Sequence, residues 1–218
     1  MTWDWQFAAN SVPLILQGLL VTLQITVLGS LVAYTLGLVF ALVRRARIPV
    51  VDQLLFLFIE FVRSTPLLVQ IFVLYYVFPS AFGIRMSAFV TGVIAIGVHY
   101  ACYTSEVYRA GIDAVPKGQW EAATALSLPR RRVWTSVILP QAVPRVLPAL
   151  GNYTISMFKE TPLLLAIGVV DLVNAAKAAG NESYRFVEVY TIAGLLFLLL
   201  SYPASLLVRR LERRVEPV

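Results

Sequence analysis

From Leu19 to Val43 the chain runs for 25 residues without a single charged side chain. A helix crosses the hydrocarbon core of a bilayer with about 20 mainly apolar residues, so this run alone takes the fold out of water. Composition agrees. Hydrophobic residues make up 59% of the 218 and charged residues 14%, where a soluble domain carries about 25% charged. So few charges do not cover a water-exposed surface, and so much apolar side chain excludes disorder. Length alone allows one domain or two.

Four further stretches are candidates for crossing: 51–78, 87–109, 137–170 and 189–208. The expected fold is all-α and integral to the membrane, with five transmembrane helices in one domain over residues 1–218. The fourth stretch is the least regular, since it holds Pro140, Pro144, Pro148 and Pro162.

The net charge of +6 would suggest nucleic acid in a soluble protein. Here the basic residues sit in short clusters between apolar stretches, which sets orientation instead. With the loop after the first span in the cytoplasm, 13 of the 18 Lys and Arg fall on that side. The N-terminus is then outside and the C-terminus inside. Residues 1–18, with Trp3 and Trp5, either lie along the outer interface, where tryptophan is enriched, or form a frayed start. The first residues lack a basic n-region, so a cleaved signal peptide is not expected.

Several chemistries lack their residues. Cys102 and His99 are the only cysteine and histidine, and there is no GxxxxGK[ST]. A disulfide framework, a Cys/His metal cluster and a phosphate-binding P-loop are therefore not expected. Such a chain is poor material for an enzyme.

Four charges fall at membrane depth: Glu60, Arg63, Lys159 and Glu160. Each costs at least about 2.5–3.5 kcal/mol at the bilayer centre on insertion scales. Glu60 and Arg63 are three apart and share a helix face. Thr65-Pro66 follows at once, and proline both disfavours helix at Thr65 and removes an N–H. A break there exposes backbone groups, which is tolerated only where protein or water lines a cavity. Lys159-Glu160-Thr161-Pro162 repeats the pattern. Lys159 and Glu160 are adjacent and face about 100° apart, so one of them is expected to meet a partner in the second span. These charges serve either a substrate with both signs of charge or buried ion pairs that lock helices. Gln70 and Asn152 bond either substrate or a neighbouring helix. Glu106 and Arg109 are expected to form a salt bridge at the end of the third span. For His99 packing is the expected role, while Tyr75, Tyr76, Tyr100 and Tyr103 either pack or stack on a cationic ring or ammonium, with packing favoured.

The longest polar stretch, 110–136, is expected on the cytoplasmic side as two short amphipathic helices, near 117–127 and 129–138. Small residues around Glu121 let another protein approach closely, and the carboxylate suits a partner's arginine. Glu121-Ala122-Ala123, Ser127 and Val137-Ile138-Leu139-Pro140 resemble the EAA motif of ABC importer permeases, with Ser127 where glycine is usual and Val137 where isoleucine is usual. Serine keeps the small volume but loses the freedom to take positive φ.

Further elements resemble the polar amino acid branch of that family. They are Arg63-Ser64-Thr65-Pro66-Leu67-Leu68-Val69-Gln70, with Ser64 for glycine; Tyr103, Glu106 and Arg109-Ala110-Gly111-Ile112; Lys117-Gly118-Gln119; Phe158-Lys159-Glu160-Thr161; and the basic tail Glu212-Arg213-Arg214. The pattern is also similar to compatible-solute permeases of the ectoine and hydroxyectoine type.

The resemblance implies a type I ABC importer transmembrane domain in a bacterial inner membrane. Gly118, Glu121, Ala122, Ala123 and Ser127 would dock on ATPase subunits. Glu60, Arg63, Ser64, Thr65, Gln70, Tyr103, Lys159, Glu160 and Thr161 would line the substrate path. Implied partners are two ATP-binding subunits, a second permease (identical or a sister chain), an extracytoplasmic binding protein and the lipid membrane, with no nucleic acid. This chain would carry no cofactor, ATP and Mg being held by the ATPase. An ion-coupled secondary transporter or channel subunit is the rival, and it leaves the EAA spacing unexplained.

Overall fold

The computed structural model describes residues 3–215, with side chains through Arg213. Met1, Thr2, residues 216–218 and the side chain of Arg214, the last residue of the basic-tail element, lie outside the described residues. Every regular element described is helical.

Helix α1 spans Trp5–Arg45. Asp4 starts it by accepting from the Gln6 and Phe7 N–H groups at 2.9 and 3.0 Å, which satisfies two of the helix's unpaired donors. At about 1.5 Å per residue its 41 residues reach about 60 Å, twice the roughly 30 Å hydrocarbon core. Residues 5–18 therefore do not fray: they belong to the same helix as the first span, and the far end of that helix is held. Arg185 bonds Glu188 at 2.5 Å, Glu188 accepts from the Asp4 N–H at 3.1 Å, and Gly18 packs directly on Asp171 and Ala175.

At its other end α1 carries Arg44 and Arg45 in the last turn, where cations favour the helix dipole. Helix α2, Pro49–Arg63, begins with proline in its first turn, where the missing N–H costs little. Helix α3 covers Leu67–Phe82 with a π-helical turn over Val73–Val77. The stretch expected as one second span is thus two helices, bent by 107°. Helix α4 is Ala88–Asp113 and the short α5 is Lys117–Ala125.

Helix α6 runs Arg130–Ile167, opening through a π-helical turn over Val133–Ile138 and ending in a 3-10 turn over Thr161–Ile167. The second amphipathic helix expected near 129–138 is therefore not separate; it is the first turns of α6. Pro144 and Pro148 lie inside that helix without breaking it. Helix α7 is Leu172–Ser183 and α8 is Phe186–Val215. Three helices (α1, α4 and α8) are long and apolar enough to cross a membrane, or five spans if the bent pairs each count once.

The core forms where α1 lies along α4. Gly29, Ala33, Gly37 and Ala41 recur every fourth residue on α1 and are buried, so they share one face. Gly97, Ala101 and Ser105 do the same on α4. Small residues let the backbones approach closely, the usual device for helix packing in lipid. Thr104 seals the contact by donating to the Ala33 carbonyl at 2.9 Å. By contrast α8 leaves Leu195, Leu198, Leu199 and Leu207 more than half exposed, an apolar surface suited to lipid.

Candidate functional site

The two interruptions meet around α4. Between α2 and α3 the residues Ser64, Thr65 and Pro66 break the helix. The freed backbone is satisfied from within, as a membrane requires. The Gln70 amide donates to the Val62 carbonyl at 2.7 Å, the Thr65 carbonyl at 3.1 Å and the Thr65 hydroxyl at 2.8 Å. Its oxygen meets His99 Nδ1 at 3.0 Å, which ties the break to α4. The hydroxyl of Thr65 donates to the Phe61 carbonyl at 3.0 Å. Of the two partners expected for Gln70, it uses the neighbouring helix, and His99 is a packed, hydrogen-bonded residue.

Across α4, the α-helical part of α6 stops at Glu160 and tightens into the 3-10 turn. Thr161 is fully buried and donates to the Phe158 carbonyl at 3.0 Å. Gly168 closes the turn at φ 82°, a left-handed conformation that costs glycine nothing. Helix α3 packs on this turn, and the Tyr76 hydroxyl donates to the Ala166 carbonyl at 3.3 Å.

Tyrosines fill the space between. Tyr100 and Tyr103 on α4 approach Tyr153 on α6 at 5.6 and 5.9 Å between ring centroids. The Arg63 guanidinium stands 5.4 Å from the Tyr103 centroid, and Arg63 pairs with Glu60 at 3.0 Å. The Tyr103 hydroxyl donates to the Arg63 carbonyl at 3.3 Å. Glu160 interacts with the Tyr100 hydroxyl, while its Oε2 is buried with no hydrogen-bond partner among the described residues. Among the described residues, neither Lys159 nor Glu160 forms an ion pair or hydrogen bond with the second span. The helical 100° step sends Glu160 inward to α4 and leaves Lys159 exposed. Asn152 bonds Glu212 at 3.0 Å.

At the basic end, charges that the sequence does not pair by spacing join three helices. Arg44 bridges Asp52 on α2 at 3.2 Å and Glu106 on α4 at 2.8 Å, and Glu106 also holds Arg109 at 3.0 Å. The Glu106–Arg109 bridge is as expected; the Arg44 contacts were not, because their partners lie 8 and 62 residues away in the chain.

Beyond this end lies α5. Trp120 packs edge-on against Trp134 of α6 at 5.4 Å, and Ala123 is buried. Gly118, Glu121, Ala122 and Ala125 are exposed. Of the residues expected to dock, Ala123 thus turns inward while Gly118, Glu121, Ala122 and Ser127 remain on the surface. The helix ends as a Schellman turn: the Leu128 N–H bonds the Ala123 carbonyl at 3.1 Å and the Ser127 N–H the Thr124 carbonyl at 2.9 Å. Ser127 takes φ 50° there, the left-handed conformation in which glycine is favoured. The serine retains the glycine turn and bears its strain. We expect Ser127→Gly to raise stability by about 1 kcal/mol, read as a thermal midpoint about 2–4 °C higher. A lower midpoint would show that the turn is not strained.

Comparison with known proteins follows the same outline. Residues 33–217 match the family model described as binding-protein-dependent transport system inner membrane component. The chain is 47% identical over 213 residues to the probable amino-acid ABC transporter permease protein y4tG of Sinorhizobium fredii, covering 95% of this chain and 92% of that one. It is 32% identical over 216 residues to the arginine transport system permease protein ArtQ of Bacillus subtilis, covering 99% of each. Its structure is similar to a chain in the crystal structure of an amino acid ABC transporter with histidines, with TM-score 0.90 and 36% identity over 98% of this chain and 100% of that one.

Proposed function

Since this chain belongs to the family of binding-protein-dependent transport system inner membrane components, we propose that it is the permease subunit of an ATP-driven importer for polar amino acids or related small zwitterions. The observation that carries the reading is the meeting of two interrupted helices around α4, with charges of both signs beside a tyrosine cluster. Glu60, Arg63, Lys159 and Glu160 sum to zero charge. That balance suits a zwitterion better than an anion or a dication.

The residues divide by what their polar atoms already hold. Thr65, Gln70, Tyr103 and Thr161 give their donors to backbone carbonyls, so with Ser64 they shape the path. Arg63, Lys159 and Glu160 keep capacity for a ligand. In this reading Arg63 or Lys159 meets the substrate carboxylate, and Glu60 or Glu160 its cationic end. The tyrosines add an aromatic face for an ammonium group.

The proposed complex holds two such permeases, identical or sister chains, above two ATPase subunits that carry ATP and Mg. An extracytoplasmic binding protein delivers substrate. The chain sits in the inner membrane as one transmembrane domain, with its N-terminus outside and α5 in the cytoplasm. On α5, Gly118, Glu121 and Ala122 with Ser127 meet the ATPase, and Ala123 holds the helix to the permease. The narrower substrate reading is a cyclic compatible solute of the ectoine or hydroxyectoine type. It rests on sequence resemblance; of the proteins above, ArtQ is named for arginine and the solved transporter is described with histidines.

The test is a competition series in liposomes containing the whole complex and its binding protein. Neutral zwitterions should displace labelled substrate at least about tenfold better than arginine, a difference of about 1.4 kcal/mol. Ectoine displacing best would support the narrower reading. Preferential transport of arginine would contradict the charge-balance argument. Arg63→Gln should lower uptake about tenfold, the scale of one charge-assisted hydrogen bond; unchanged uptake would remove Arg63 from the path.

A further inference from the structure

Arg45 is the last residue of α1 and Asp113 the last of α4. They pair at 3.0 Å. The Arg45 guanidinium also stands 5.4 Å from the ring centroid of Trp120 on α5 and 5.4 Å from that of Trp134 on α6. One side chain thus touches all four elements that converge where α5 joins the helices of the core. Trp120 immediately precedes Glu121, the exposed carboxylate of α5. The short helix rests on the π-helical turn that holds Trp134, a local widening of the helix that is found at sites of movement and function.

The ion pair by itself adds little stability. The Arg45 side chain is 35% exposed and that of Asp113 62%, and an ion pair so wet contributes little to folding. Removing Arg45 would cut the side-chain link from α5 to α1. Helix α5 would stay joined to α4 through residues 114–116 and the packing of Trp120 beside Ile112 and Val115, and to α6 through Trp134. A displacement of α5 would then reach α1 only by way of α4 or α6.

We propose that Arg45 is the positioning residue that ties α5 to the end of α1, so that movement of an ATPase docked on α5 is passed into α1 directly as well as through α4. This rests on the reading of the chain as an importer permease. Arg45 touches neither substrate nor nucleotide; it acts through Trp120, Trp134 and Asp113. Arginine suits the place because its flat guanidinium both stacks on rings and pairs with a carboxylate.

The experiment uses the complete complex in liposomes and measures substrate moved per ATP hydrolysed. Arg45→Gln should assemble and hydrolyse ATP at near the unaltered rate, with transport per ATP about tenfold lower, a typical size for energetic coupling between sites. Arg45→Lys keeps the charge and the ring contact but loses the planar fork, so its ratio should be intermediate. An unchanged ratio in an assembled Arg45→Gln complex overturns the proposal. So does an Arg45→Gln complex that fails to assemble beside an Arg45→Lys complex with the unaltered ratio, since the role is then structural. Absence of substrate-stimulated hydrolysis in the unaltered complex would refute the importer reading itself, a result seen before any variant is made.

Discussion

Glu121→Lys should abolish the link between substrate and ATP hydrolysis. The carboxylate stands on the exposed face of α5, so its replacement leaves no cavity and no buried orphan, and the permease should fold and insert normally. If Glu121 meets a cationic group of the ATPase, reversing its charge places like charges together at a close interface. Such a change costs at least about 2–5 kcal/mol, or about thirtyfold and upward in the affinity of the ATPase for the permease. The ATPase should no longer copurify, and hydrolysis should no longer respond to the loaded binding protein. Normal copurification with normal stimulation would move the docking surface away from α5.

The second large effect lies in the core. A Cβ placed on Gly37 would stand 2.0 Å from the Thr104 hydroxyl oxygen and 3.0 Å from the Ala101 carbonyl. Thr104 cannot simply rotate away, because its hydroxyl is bonded to the Ala33 carbonyl; nor can the backbone oxygen yield. Helices α1 and α4 would have to part along their whole small-residue seam. Overpacking of this kind costs about 1–3 kcal/mol and sometimes more, and here we expect the upper end. Gly37→Ala should reduce the yield of monodisperse protein and lower its thermal midpoint by about 6–10 °C. Gly29→Ala on the same face is the control. Its Cβ would meet Ile96 at 3.4 Å, an ordinary contact, and the protein should be little changed. Equal effects at both glycines would mean that the seam is looser than drawn.

What the sequence made legible follows period and spacing. The charge-free run after Leu19 became part of α1, and the stretches near 87–109 and 189–208 became α4 and α8. Proline after Thr65 announced the break between α2 and α3, and a three-residue separation announced both the Glu60–Arg63 and the Glu106–Arg109 pairs. The start of α1 was missed although its signal was present: Asp4 caps the helix at once. The continuation of α6 through Val133–Ile138 was missed because a π-helical turn has no plain sequence mark.

Long-range partners were out of reach for a different reason. Arg45 and Asp113 are 68 residues apart, and nothing in either neighbourhood says that the ends of α1 and α4 coincide. The small residues at every fourth position of α1 and α4 were the available clue to that alignment. Glu160 shows the same limit. Its helix step separates it from Lys159, but only the fold says that it turns to Tyr100 and leaves one oxygen unpaired.

The central claim is that this chain moves a small zwitterion on energy drawn from a separate ATPase. It is tested most directly by ATP hydrolysis in liposomes that hold the chain with its copurifying subunits, with and without the binding protein and candidate zwitterions. The account predicts hydrolysis that rises only when loaded binding protein is present and that disappears with Glu121→Lys. A chain that purifies alone and carries substrate on an ion gradient without ATP would contradict it.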